Sequence, residues 1–205
     1  MKVVTIISQK GGAGKTTLAL HLAAAAAKLS TVVIDLDPQA SSADWKDSRK
    51  QETPVVITLP HTRLAQGLQA AREGGAKLAV IDTAPHSEAA AMAAIRAANL
   101  VLVPCRPGIL DLRAVGTTAE LLKLADKPAF VVLNAMPPGA SQLLKDARSA
   151  VAVHGLAVAP VVLHQRASFA HALTAGMTAT EYEPEGKAAA EVVALLKWVR
   201  AVLAA

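Results

Sequence analysis

Nine consecutive residues, Gln9-Lys10-Gly11-Gly12-Ala13-Gly14-Lys15-Thr16-Thr17, combine three glycines with two lysines and two threonines. Glycines let backbone N–H groups turn inward around an anion, and a helix N-terminus adds a partial positive charge. Lys15 is spaced to reach β- and γ-phosphates, and the Thr16 hydroxyl to hold Mg²⁺. The flanks suit that chemistry. Val3-Val4-Thr5-Ile6-Ile7 is a β-branched run too short for a helix, whereas Leu18 to Leu29 is rich in Ala and Leu. Strand, glycine loop and helix follow one another as a phosphate cradle requires.

Strand and helix signals alternate onward from there. Apolar runs at 31–35, 55–59, 78–81, 100–103, 129–134 and, more weakly, 157–163 read as strands. Between them lie helix signals at 62–73, stopped by Gly74-Gly75, and at 87–97 and 141–153. A polar segment from Ser41 to Glu52 reads as an exposed helix. Pro104 to Gly108 reads as a turn, with Asp111 capping a helix that carries Leu112, Val115, Ala119 and Leu122 on one face. Pro184 is placed to open the last helix, which runs to Leu203 with Leu195, Leu196, Val199 and Val202 inward. The pattern predicts an α/β fold: a mostly parallel central sheet with helices on both faces, in one domain over 1–205. Ligands of such sheets bind beyond the carboxyl ends of the strands, where Lys15, Asp37, Asp82 and Asn134 all fall. Asp82 ends an apolar strand, the place from which a carboxylate holds Mg²⁺ opposite Thr16.

The loop departs from the common P-loop pattern in one respect. The position six residues before Lys15, ordinarily glycine, is Gln9, and a second lysine, Lys10, follows it. KGGxGKTT is the deviant Walker A pattern, and with D-x-D-P-Q at 35–39 the chain resembles the ParA/MinD family of P-loop ATPases. A passage from Gln165-Arg166-Ala167-Ser168-Phe169 to Tyr182-Glu183-Pro184 is also similar to that family's, so the resemblance spans nearly the whole chain. It implies a P-loop NTPase fold, with ATP and Mg²⁺ held by Gly11, Gly12, Ala13, Gly14, Lys15, Thr16 and Thr17. Asp37 is then the catalytic, water-orienting carboxylate, Asp35 lies near the Mg²⁺ hydration shell or the switch backbone, and Asn134 reads the adenine edge. Lys10 reaches across an ATP-bound homodimer to the partner's ATP, a device akin to an arginine finger supplied in trans.

Composition narrows the choice within the family. The chain has 205 residues, 53% hydrophobic but only 2% aromatic, so its core rests on Ala, Val and Leu and base stacking is not expected. A single cysteine, Cys105, excludes an internal disulfide and a Cys-based cluster within one chain, and points to a reducing, cytoplasmic setting. Apolar stretches are interrupted by Pro, Gly, Asn or His, and the last helix has too few cations for a polybasic membrane anchor, so no membrane partner is expected. The P-loop begins nine residues from Met1, so the helix-turn-helix that large plasmid ParA proteins carry ahead of it is not expected. That leaves the small ParA class. It implies an ATPase stimulated by a ParB-like or cargo-adaptor partner, bound to the nucleoid through non-specific DNA contacts. A net charge of +5 is compatible with DNA, and Lys145, Arg148, Arg166, Lys197 and Arg200 are the candidate contacts. The alternatives are a MinD-like spatial regulator and a metabolic enzyme of the same fold, akin to dethiobiotin synthetase.

Overall fold

The computed structural model describes residues 1–39 and 41–205. Seven strands among them form one sheet in the order β3-β2-β4-β1-β5-β6-β7, every neighbouring pair parallel. These are β1 (Lys2–Ile6), β2 (Thr31–Asp35), β3 (Val55–Thr58), β4 (Leu78–Asp82), β5 (Leu100–Cys105), β6 (Ala129–Leu133) and β7 (Ala157–Val158). Side chains of β1 alternate between the two faces. Val4 and Ile6 pack under α1 (Lys15–Ala25) with Leu18, Leu22 and, from α9 (Lys187–Ala204), Leu195 and Val199. Val3 and Ile7 point the other way. There they join apolar layers built by α3 (Leu64–Glu73), α4 (Glu88–Ala97), α5 (Ile109–Lys123) and α6 (Ser141–Val153). Both faces are therefore covered, which is why β2, β4 and β5 are buried from end to end. Fully burying a Leu or Val contributes about 1.5–3 kcal/mol, so Leu195 and Val199 alone fix α9 firmly against α1.

Strand register does the positioning. Ile6 pairs with Asp82, and Asp82 with Asp35, so the last residues of β1, β4 and β2 stand in one row. The glycine loop leaves from that row and returns as α1. On the other side of β1, Cys105 pairs with Leu133, which puts Asn134 one step beyond β6.

Several element boundaries differ from the sequence expectation. Pro104 and Cys105 belong to β5 rather than to a turn. Odd residues of β5 bond β6, as in Val101 N to Pro128 O, and even ones face β1, whose last bond is Ile7 N to Leu102 O. Pro104 thus lies past the point where β1 leaves the sheet, and its missing N–H has no partner to disappoint. Asp111 does not cap α5. Gly108 holds that position, and the Asp111 carboxylate turns to Lys10 instead. The last helix starts at Lys187, with Pro184 in the turn ahead of Gly186. β7 spans two residues, although Leu163 N still reaches Leu133 O. The polar helix α2 is short (Ser41–Asp47), with Ser42 and Trp45 buried. Two short helices, α7 (Ala167–Thr174) and α8 (Ala179–Tyr182), occupy the passage before α9.

Candidate functional site: a phosphate cradle at the strand ends

Gly14 opens α1 in a left-handed conformation (φ 96°), and a Cβ there would stand 2.1 Å from Nδ2 of Asn134. Glycine is required on both counts. Gly12 also has positive φ, 74°, and among the described residues a Cβ on Gly11 or Gly12 would meet nothing within 4 Å beyond its chain neighbours. The loop backbone is thus open to close approach. Gln9 N donates to Thr118 Oγ1 of α5 at 3.4 Å, and Asn134 Nδ2 donates to Ala13 O at 3.0 Å, bracing both ends of the loop. Lys15 is buried, and its Nζ donates to Lys10 O across the loop at 3.4 Å. Burial lowers the Lys15 pKa, opposed by the charges of Asp82 and Asp37.

Thr16 Oγ1 donates to Asp82 Oδ2 at 2.6 Å. The other Asp82 oxygen, Oδ1, is buried without a hydrogen-bond partner among the described residues. Burial pushes the Asp82 pKa up to about 7, with the Asp35 charge adding to the rise and Thr16 and Lys15 opposing it. A buried, unsatisfied carboxylate oxygen beside a threonine hydroxyl is an expensive arrangement unless a cation completes it. Thr16 and Asp82 therefore fit a Mg²⁺ ion, which would neutralise phosphate charge when bound.

Asp35 is wholly buried, and both of its oxygens are engaged: Oδ1 accepts from Asp37 N at 2.9 Å and Oδ2 from Ser42 N at 3.1 Å. Burial raises its pKa. This carboxylate ties Asp37, just past β2, to Ser42 in α2. Asp37, half-buried, closes a turn by accepting from Gln39 N at 2.9 Å. Ser42 Oγ reaches Asp82 Oδ2 at 3.4 Å, linking α2 to the metal-side carboxylate. Serine is unremarkable in a polar helix, so only the register of β2 against β4 makes Ser42 visible.

Lys10 extends away from its own loop. Its Nζ pairs with Asp111 Oδ2 at 2.9 Å, the lysine side chain remaining 34% exposed. Exposed Ile109 and Leu110 precede Asp111 on α5. Asn134 keeps its carboxamide between Ala13 O and its own neighbour, accepting from Ala135 N at 2.9 Å. It lines a cleft of about 380 Å³ together with Gly14, Thr17, Arg106, His164 and Arg166. Cys105 is buried in the core, and burial pushes its thiol up to about 12, far from nucleophilic use.

The five expected DNA contacts separate. Lys145 and Arg148 are exposed on α6, and Lys197 and Arg200 on α9. Arg166 is partly buried, lines the cleft and is paired with Glu191. Among the described residues no helix is long and apolar enough to cross a membrane.

The profile of the CobQ/CobB/MinD/ParA nucleotide binding domain matches residues 4–179. Maintenance of carboxysome distribution protein A of Gloeobacter kilaueensis is 36% identical over 135 residues, which span 64% of this chain and 62% of the relative. The protein of the same name from Halothiobacillus neapolitanus is 26% identical over 200 residues, spanning 93% of this chain and 92% of the relative. An ATP complex of a Cyanothece McdA variant has the same fold, with a TM-score of 0.76 at 15% identity, covering 97% of this chain and 96% of that one.

Proposed function

We propose that this chain, which belongs to the CobQ/CobB/MinD/ParA nucleotide-binding domain family, is an ATPase whose ATP-bound homodimer positions a cargo and comes apart on hydrolysis. The observation that carries this reading is Lys10. The phosphate cradle already has its lysine in Lys15, and Lys10 points out of it toward α5, partly exposed and held by Asp111. A half-exposed pair of this kind stabilises by about 1 kcal/mol or less. A triphosphate presented by a second copy offers more charge than Asp111 does, so Lys10 exchanges one for the other. ATP thereby favours the dimer by its differential interaction with the two states.

Within each copy, Lys15 and the glycine loop hold the β- and γ-phosphates, and Thr16 and Asp82 hold Mg²⁺. Asp37 is the carboxylate that orients the attacking water. The names of the two relatives, proteins of carboxysome distribution, favour a protein-assembly cargo over a plasmid. The track is the nucleoid. Lys145, Arg148, Lys197 and Arg200 supply phosphate contacts without base reading, and a ParB-like or adaptor partner carried on the cargo stimulates hydrolysis.

A gel shift with random-sequence duplex tests the DNA limb of this reading. ATP with Mg²⁺ is expected to produce a shift at low salt that ADP does not, fading steeply as salt is raised. No shift with ATP at low salt would contradict it.

A further inference from the structure

Behind the cleft stands one carboxylate that does not line it. Glu191, in the second turn of α9, reaches the loop that leads into α7. Its Oε2 accepts from the backbone N of His164 at 3.0 Å. Its Oε1 accepts from Nδ1 of His164 at 2.8 Å and from Nε and Nη2 of Arg166 at 3.0 and 2.5 Å. Four donors thus converge on one side chain. Burial pushes the Glu191 pKa up, but the hydrogen bonds from Arg166 and His164 outweigh it and hold the group below the usual glutamate range. An ionised carboxylate accepts only, so Nδ1 of His164 must be the donor. In the neutral ring the remaining nitrogen, Nε2, then carries a lone pair.

His164 and Arg166 line the cleft that runs from Gly14 and Thr17 past Asn134. The same loop is laid against the end of β6, where Gln165 N donates to Met136 O at 2.8 Å and His164 bridges Met136. The phosphates belong at the glycine loop, so whatever a nucleotide carries at its other end must lie along this wall.

We propose that Glu191 is a positioning residue for base recognition, fixing the tautomer of His164 and the orientation of Arg166 so that the wall accepts an amino-purine. This rests on the nucleotide-cradle reading above. A lone pair on His164 Nε2 receives the exocyclic amine of adenine and opposes the carbonyl oxygen that guanine carries at the same position. Glu191 touches neither base nor phosphate. It acts through two side chains that do face the cleft, and it does so from the C-terminal helix, 27 residues away in sequence from His164.

Calorimetric titration of wild type, Glu191→Gln and His164→Ala with Mg-ADP, Mg-GDP and inorganic tripolyphosphate tests it. Wild type is expected to prefer ADP over GDP by about tenfold or more, the scale of one well-placed hydrogen bond against its mismatch. Glu191→Gln should lose about tenfold in ADP affinity and most of that preference, while tripolyphosphate binding stays within about twofold. Added to His164→Ala, it should lower the ADP preference no further, because the choice between the two bases is made by that ring and not by Arg166. Retention of the ADP preference in Glu191→Gln would overturn the proposal, and so would loss of tripolyphosphate binding in step with ADP. A wild type that binds tripolyphosphate without preferring ADP would overturn it while leaving the cradle intact. A wild type that binds none of the three would sink the cradle reading and this inference with it.

Discussion

Gly14 and His21 show how narrowly single side chains are specified around the cradle. A methyl group at Gly14 would impose a left-handed conformation on an L-residue, costing about 1–2 kcal/mol, and would displace the Asn134 carboxamide that braces Ala13. Gly14→Ala should therefore lower stability by about that amount in urea denaturation and weaken nucleotide binding much more than a surface Gly→Ala change. His21, nearly two turns along α1, is buried edge-to-face with Phe169, with Nδ1 hydrogen-bonded to Thr17 O and Nε2 unpartnered among the described residues. Burial lowers its pKa to about 4, against small opposing contributions from the Thr17 carbonyl and Glu181. The unfolded chain takes up a proton near pH 6.5 that the native state refuses until about pH 4. Stability conferred by neutral His21 is thus complete above that window and falls as pH drops through it, by about 3 kcal/mol in all. His21→Leu should flatten the stability profile between pH 6.5 and pH 4; an unchanged acid limb would show that another group sets it.

At the scale of elements, α2 matters more than its length suggests. It follows the Asp35–Asp37 loop directly, and Arg49 just beyond it is tied to α8. The Arg49 side chain is 1% exposed, stacks 4.6 Å over the Trp45 ring and forks onto Glu181, while Trp45 Nε1 donates to Met177 O at 3.2 Å. Without Arg49, the Glu181 carboxylate, 25% exposed, loses its partner at a cost of about 1–3 kcal/mol. Arg49→Met should lose stability on that scale, and the loss should shrink in a Glu181→Gln background, a coupling that denaturation of the two single and one double variant would measure. None of this was legible in the sequence, where Arg49 is one charge among several and Ser41 to Glu52 reads as a solvated helix. What was legible follows from local rules: apolar runs with period two or none, glycine stops, and a loop whose chemistry is contiguous. Asp35 and Asp82 were readable as strand ends. That they stand side by side required the register of β2 on β4, which nothing local encodes. The boundaries that moved are those where a local signal is overridden: Pro104 stays in β5 because β1 has already left the sheet beside it, Asp111 turns to Lys10, and Pro184 sits in the turn ahead of α9.

For the whole molecule, the proposed function makes the arrangement at the strand ends a switch with Lys10 as its moving part. Lys10 rests on Asp111, and Asp111 lies in the first turn of a helix whose exposed Ile109 and Leu110 face outward beside it. Removing the anchor should bias the switch. Asp111→Asn frees Lys10 without touching the phosphate cradle and is expected to lower the ATP concentration at half-dimerisation severalfold, a loss of about 1 kcal/mol from the free protomer. Sedimentation across an ATP titration would read that shift, and an unchanged or raised midpoint would mean that Asp111 serves the dimer instead. The central claim, that Lys10 is what ATP is used for, is tested most directly by multi-angle light scattering on wild type and Lys10→Ala with ATP or ADP and Mg²⁺. Wild type should double in mass with ATP and not with ADP, while Lys10→Ala binds nucleotide and keeps the protomer mass. A Lys10→Ala protein that forms the ATP dimer as readily as wild type would contradict the account.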